Sequence, residues 1–316
     1  MKLNVIITAY KEPDTIGRAI ECVCDAVYTG FDEKFNLITV IPDKETNKVA
    51  GDYIKKYKNV QWTKIIDPQR GKPTALNMAL KKSKGDVIIL TDGDVYLGKY
   101  AIKYLYDAFK NKKVMGATGS PISLNKRNTF FGYISHLLAD AAHHKRLSTL
   151  KGIRSGKSRV FVGSKSNFFV LSGYALAMRN FQILLPEDTL VDDAYLSYAL
   201  LSKGGKLEYV PDAKVFVKYP TDLKDWYLQK LRAVGGYVQL WKYNIISKDT
   251  KVRNFWKEAQ YFWFPIKYAK NIKELIWSLS LFPLRLFMWL VVFYQQKIRR
   301  KSFDEVWVRI ESTKKN

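Results

Sequence analysis

Sulfur is scarce in this sequence. The 316 residues include two cysteines, Cys22 and Cys24. Residues two apart do not share a helix face, so neither a disulfide framework nor a cysteine-rich zinc site can be assembled. The pair reads as small buried side chains in a reducing compartment. Acidic residues are also few: 29 Asp and Glu stand against 53 Lys and Arg, a formal net charge of +24. That excess calls for an anionic partner: nucleic acid, an acidic membrane surface or phosphorylated substrates. Glycine-rich phosphate cradles are missing. No Gly-x-x-x-x-Gly-Lys-Ser/Thr occurs, because Gly71-Lys72-Pro73 lacks the upstream glycine, and no Gly-x-Gly-x-x-Gly follows the first apolar run. Phosphate would therefore be held by metal and basic side chains. No zinc-finger or RNA-recognition motif accompanies the charge, and no nucleic-acid partner is expected. No signal-peptide pattern precedes the opening "MKLNVIITAY", so the N-terminal part is expected in the cytosol.

What is present is an ample core, with 47% hydrophobic residues, arranged as alternating strands and helices. Leu3 to Thr8 reads as a buried strand. Ile16, Ala19, Ile20, Val23 and Val27 follow at helical spacing, with Pro13 and Asp14 at the helix start. Strands are expected at Leu37 to Ile41, near 60–66, at "DVIIL" and at "VMGATG"; helices fall between them. "PTALNMALKKSKG" has Pro73 in the first turn and Gly85 as a stop. Further on, a helix is expected over "TFFGYISHLLADAAHHKRL" and an extended segment over "NFFVLSGYALAM". "VDDAYLSYALLSKGG" reads as a helix, "KLEYV" and "AKVFV" as two short strands, and the chain from Asp222 as helical apart from Gly235-Gly236. This alternation predicts an α/β fold, a mostly parallel sheet with helices on both faces. Ligands in such sheets bind beyond the carboxyl ends of the strands. Tyr10 with Glu12, Asp43, and Asp92 with Asp94 all follow strands and reach that edge.

The stretch "DVIILTDGDV" sets two carboxylates, Asp92 and Asp94, one residue apart after an apolar strand. Paired oxygens in that position suit a hard divalent cation, Mg²⁺ or Mn²⁺, which usually shares its coordination shell with substrate phosphates. A solvated Asp-Gly turn is the bland alternative. An EF-hand is excluded, because the sixth and twelfth positions counted from Asp92 are Leu97 and Lys103. A second acid pair, Asp192-Asp193, opens a helix, where dipole complementation alone would explain it. Arg70-Gly71-Lys72 lies between the two. His143 and His144, adjacent on a helix, point about 100° apart and read as surface or interface residues rather than ligands.

Taken together, "VIITAYKEPDTIGRAI", "PDKE", "RGKPTALNMAL", "ILTDGDV", "VDDAYLSYAL" and "QKLRAVGG" resemble a family 2 glycosyltransferase of the GT-A fold over roughly residues 3–236. The resemblance implies a nucleotide-sugar donor, expected to be a UDP-sugar, and inverting transfer. It implies that Ala9, Tyr10 and Glu12 contact base and ribose, that Asp43 sits near the uracil or ribose, and that Arg70 and Lys72 line the diphosphate site. Asp92 would contact the donor and metal, Asp94 would ligate the metal, and Asp193 would be the general base. The motif that usually reads Thr-Glu-Asp is Val191-Asp192-Asp193 here. Gln229 and Arg232 match the Gln-x-x-Arg-Trp motif of polymerising and lipid-modifying members. The motif's tryptophan is Ala233 here, a departure that argues against a processive synthase. A nucleotidyltransferase of similar fold and a basic nucleic-acid-binding protein are the rival readings.

The composition shifts after about residue 250, giving an expected catalytic domain over 1–250 and a membrane-associated helical region over 251–316. "LIWSLSLFPLRLFMWLVVFY", residues 275–294, is long enough to span a bilayer. It contains Pro283 and Arg285, and an arginine near the centre costs about 2.5–3.5 kcal/mol on insertion scales. "FWKEAQYFWFPIKYAK" suits an interfacial helix. Residues 251–316 carry 14 Lys or Arg and 5 acids, a net +9, consistent with an anionic membrane surface. A lipid or lipid-linked glycan acceptor is therefore expected, handled by a membrane-associated enzyme whose catalytic domain faces the cytosol.

Overall fold

The computed structural model describes residues 1–28, 34–58, 60–150, 160–161, 169–246, 262–294 and 310–314. The basic cluster Lys297, Arg299, Arg300 and Lys301, and most of "FWKEAQYF", lie outside the described residues.

The first half alternates as expected: β1 (Leu3–Thr8), α1 (Pro13–Tyr28), β2 (Phe35–Val40), α2 (Lys44–Ile54), β3 (Val60–Ile65), α3 (Lys72–Lys82) and β4 (Val87–Asp92). Every residue of β1 is buried, because the sheet is covered on both faces. Alternate residues sort to opposite sides. Val5, Ile7, Leu37 and Ile89 pack with Ile16, Ile20 and Val23 of α1 on one side. Ile6, Ile38, Ile88 and Leu90 pack with Leu76, Ala79 and Leu80 of α3 on the other.

Then come β5 (Val95–Leu97), α4 (Ala101–Ala108), β6 (Val114–Ser123), α5 (Phe130–Leu150), β7 (Val160–Phe161), β8 (Leu176–Arg179), α6 (Asp192–Ser202), β9 (Lys206–Val217) and α7 (Leu223–Lys242). The strands form one sheet in the order β3-β2-β1-β4-β8-β6-β9-β5, with β7 beside β9. The expected parallel pairing holds for β3-β2-β1-β4. The other half is mixed, because β8 runs antiparallel between β4 and β6. A four-residue strand carries too short a pattern for its direction to be read locally. From "NFFVLSGYALAM" only Leu176 onward is strand, and Asn167 and Phe168 fall outside the described residues. "KLEYV" and "AKVFV" form one continuous strand. Its pairing with β6 slips between Thr118 and Ser120, beside Pro211, which has no N–H to give a ladder.

Two helices close the described chain, α8 (Trp263–Tyr268) and α9 (Ile272–Phe293), followed by a short 3-10 turn at Glu311–Thr313. They pack on α5 and α7 through Tyr133, Leu137, Trp226 and Leu281. Arg127 clamps Glu274 with two bonds of 2.9 Å each. By length and composition α9 could cross a membrane. Its outer face leaves Ile276, Phe287 and Leu290 about 60% exposed. Gly235 and Gly236 do not interrupt α7. A Cβ on Gly236 would lie 2.5 Å from Val191 Cγ1, so this glycine lets α7 press against the segment leading into α6.

Candidate active site

From β1 the chain builds outward to β2 and β3, then crosses back to place β4 on the other side of β1. That reversal makes a crevice at the carboxyl ends of β1 and β4. Thr8 and Asp92 are register partners there, and the Thr8 hydroxyl donates to Asp92 Oδ1 at 2.8 Å. The Gly93 N–H donates to the Thr8 carbonyl at 2.9 Å. A Cβ on Gly93 would stand 2.5 Å from Glu12 Oε2 and 2.7 Å from Ala9 Cβ. The glycine between the two aspartates therefore lets their turn close on the loop after β1.

The two aspartates contact different lysines. Asp92 takes Lys72 Nζ at 2.7 Å, and the same ammonium lies 3.4 Å from Asp192. Asp94 Oδ2 instead takes Lys314 Nζ at 2.8 Å, and Lys314 also reaches Glu12 Oε1 at 2.6 Å. Burial pushes the Asp92 carboxyl up, but Lys72 outweighs it and the net shift is downward. Lys72 moves the other way: burial opposes its charge, and Asp192 and Asp92 overcome that to raise it. Glu12 is 5% exposed at its side chain. Burial pushes it up to about 7 against the pull of Lys314, and its Oε2 is buried with no hydrogen-bond partner.

The second acid pair faces the same crevice, which is lined by Lys72, Thr91, Asp92, Asp192 and Asp193 over a floor of leucines. Asp193 Oδ1 accepts the Ala194 N–H at 2.8 Å and Oδ2 accepts the Gly173 N–H at 3.3 Å. Burial, then the neighbouring Asp192, pushes its carboxyl up to about 6. Gln239 of α7 anchors the approach to α6, accepting the Leu190 N–H at 2.9 Å.

The remaining candidate residues take varied positions. Asp43 caps α2 through Thr46 N–H at 2.9 Å and holds the Lys11 N–H at 2.8 Å, which ties the β1 loop to the β2 loop. Ala9 is buried and its N–H donates to Val40 O at 3.2 Å. Tyr10 is half-buried and Arg70 exposed. Gln229 and Arg232 lie half-buried on α7, and the charge of Arg232 is felt by Lys72 and by Tyr174. His143 bonds the Tyr209 hydroxyl at 2.6 Å. Lys314, Thr8 and Tyr174 were not anticipated. Thr8, a polar residue closing an apolar strand, carried a local signal; Lys314 did not.

A hard divalent ion fits these residues. Among the described residues no group of three or more His, Cys, Asp or Glu forms a cage. Mg²⁺ and Mn²⁺ need none where a diphosphate supplies ligands. Glu12 and Asp94 already gather around one cationic group, the Lys314 ammonium.

The chain is similar to several known proteins. A poly-beta-1,6-N-acetyl-D-glucosamine synthase of Staphylococcus aureus (strain MSSA476) is 28% identical over 255 residues, 79% of this chain and 58% of the relative. The corresponding synthase of Staphylococcus epidermidis is 24% identical over 260 residues, 80% and 56%. The chain thus spans less than two thirds of these relatives. Among solved structures, the mannosyltransferase PcManGT from Pyrobaculum calidifontis, in complex with GDP-Man and Mn²⁺, superposes with a TM-score of 0.56 at 14% identity, covering 94% of this chain and 81% of that one. S. aureus TarS 1–349 in complex with UDP-GlcNAc gives 0.51 at 15% identity, covering 89% and 80%. These likenesses establish the GT-A fold. Residues 4–179 match the family described as glycosyl transferase family 2, more than half of the chain, and the protein therefore belongs to that family of glycosyltransferases.

Proposed function

We propose that the protein is a metal-dependent inverting glycosyltransferase. It transfers a sugar from a nucleotide sugar, a UDP-sugar, to a lipid or lipid-linked glycan at the cytosolic face of a membrane. The observation that carries this reading is the crevice itself. Lys72, Asp92, Asp192 and Asp193 line it together, and Asp94, next but one after Asp92, meets Glu12 through Lys314. Membership of a glycosyltransferase family favours glycosyl transfer over the nucleotidyltransferase and nucleic-acid-binding readings.

In this reading Asp94, with Glu12 beside it, holds the divalent ion, and Asp92 faces the donor. Mg²⁺ or Mn²⁺ bound there supplies charge stabilisation to the departing diphosphate. Lys72 and Arg70 line the diphosphate, while Ala9, Tyr10 and Asp43 border the base and ribose. Gln229 and Arg232, on α7, close the donor side. The acceptor hydroxyl oxygen attacks the anomeric carbon as the bond from that carbon to the diphosphate oxygen breaks, which inverts the centre. The hydroxyl proton passes to Asp193. A base with a pKa of about 6 is deprotonated at neutral pH and still strong enough to accept that proton.

Support for a UDP-sugar comes from relatives named for N-acetylglucosamine polymers and from the UDP-GlcNAc complex of TarS. Support for the membrane comes from α9. Its inner face packs on α5 and α7 while its outer face exposes Ile272, Ile276, Phe287 and Leu290, the arrangement of a helix lying in an interface.

The test is nucleotide release from UDP-GlcNAc, UDP-glucose and GDP-mannose with a membrane lipid extract, with and without Mn²⁺. Metal-dependent release that is lost in Asp94→Ala and in Asp193→Asn supports the reading. Full turnover in Asp193→Asn overturns the base assignment, and no turnover of any donor overturns the donor class. Product size in the same assay tells single transfer from repeated addition, the point on which Ala233 and the synthase relatives pull apart.

A further inference from the structure

Lys314 lies 220 positions from Asp94 in sequence, yet its ammonium bridges Asp94 at 2.8 Å and Glu12 at 2.6 Å. Its side chain is only 18% exposed. The segment that delivers it is docked and not draped. Ile310 and Thr313 are buried. Ser312 N–H donates to Asp225 Oδ2 at 2.7 Å, and Thr221 N–H donates to Ser312 Oγ at 3.3 Å. Asp225 belongs to the first turn of α7, so the short 3-10 turn is pinned beside the crevice with its lysine directed inward. A lysine ammonium and a divalent ion both need the carboxylate oxygens of Asp94 and Glu12. A divalent ion held by these carboxylates, at about 2.0–2.1 Å from oxygen for Mg²⁺, would stand close to the ammonium, and the like charges oppose joint occupancy.

We propose that Ile310–Lys314 is a resident plug of the donor-cation site. Lys314 bridges Glu12 and Asp94 in the free enzyme, and the segment leaves when a divalent ion, with or without its nucleotide, takes its place. This rests on the assignment of Asp94 to the cation in the proposed function. A site open only in a fraction of molecules binds with its affinity reduced by that fraction. The plug therefore weakens the binding of free cation and couples release of the segment to donor loading.

The test is Mn²⁺ binding alone, followed by the electron paramagnetic resonance signal of the free ion, on the full chain. Lys314→Ala is expected to bind Mn²⁺ at least tenfold tighter than wild type. Ser312→Pro removes the N–H that bonds Asp225 while keeping Lys314, and is expected to fall between the two. Adding Asp94→Ala to Lys314→Ala should abolish the gain. Release of the segment is read independently as faster proteolysis after residue 310 when Mn²⁺ and UDP are added to wild type. Equal or weaker Mn²⁺ binding by Lys314→Ala overturns the proposal. So does UDP binding that needs Lys314 and ignores Mn²⁺, because Lys314 would then be a fixed donor contact. Mn²⁺ binding tightened by Lys314→Ala without turnover of any donor would leave the plug standing and remove the donor reading. Metal-dependent turnover with unchanged Mn²⁺ binding would do the reverse.

Discussion

Asp193→Asn separates what the carboxylate does in the reaction from what it costs the fold. The group is pushed from 3.8 up to about 6, first by burial and then by Asp192. Between those values the folded protein binds more protons than the unfolded chain, so stability falls as pH rises through that window. A rise of about two units corresponds to about 3 kcal/mol lost at neutral pH, at about 1.4 kcal/mol per unit. Partial exposure of the carboxyl reduces that to about 2–3 kcal/mol. Asparagine escapes the charge penalty but has one acceptor oxygen. It keeps the Ala194 N–H at 2.8 Å and gives up the longer bond from Gly173 at 3.3 Å, a loss of about 1 kcal/mol. The variant is therefore expected to be about 1–2 kcal/mol more stable than wild type at neutral pH. The gain should shrink as pH falls from about 6 to 4 and reverse to a deficit of about 1 kcal/mol well below 3.8, where the wild-type group is protonated in both states. Turnover should fall by about 10²–10⁴, and wild-type turnover should itself rise with pH through about 6, following the same carboxyl. Urea unfolding at acid and neutral pH, beside nucleotide release, measures all of this. A variant no more stable at neutral pH, or equally stabilised in acid, refutes the electrostatic reasoning.

Three further outcomes follow from the geometry. Lys72→Met leaves Asp92 and Asp192 without the ammonium that lies 2.7 and 3.4 Å from them, and should cost about 2–3 kcal/mol in urea unfolding, less than a fully buried pair because both sides keep some exposure. Gly93→Ala sets a methyl 2.5 Å from Glu12 Oε2 and 2.7 Å from Ala9 Cβ; about 1–3 kcal/mol of overpacking strain is expected, with loss of UDP binding measured by calorimetry. Replacing Leu286, Phe287 and Leu290, which are 48%, 61% and 59% exposed, by Ser should leave stability within about 0.5 kcal/mol per site. The same variant should cut flotation with anionic vesicles at least tenfold, and unchanged flotation would remove α9 from the membrane contact.

Much of the first half of the fold was legible because its signals are local. The apolar run of β1, Pro13 at the start of α1, and Pro73 with Gly85 around α3 each announce an element within a few residues. The edge position of Asp92 and Asp94 followed from strand and turn chemistry. Their separate partners did not follow. Which carboxylate meets Lys72 and which meets Lys314 depends on contacts 20 and 220 positions apart. The mixed half of the sheet was hidden for a related reason. The four residues of β8 take their direction from strands β4 and β6 on either side. Gly235-Gly236 reads locally as a helix breaker. Close packing of Gly236 on Val191 offsets the modest helix cost of glycine, and that packing cannot be seen from the helix alone.

In the proposed donor site Asp94 serves the cation and Asp193 serves the acceptor. Calorimetric UDP binding, with and without Mn²⁺, tests it most directly in wild type, Asp94→Ala and Asp193→Asn. Wild type and Asp193→Asn are expected to bind UDP alike and only with Mn²⁺, while Asp94→Ala loses binding. Mn²⁺-independent binding, or equal loss in both variants, would contradict that division of labour.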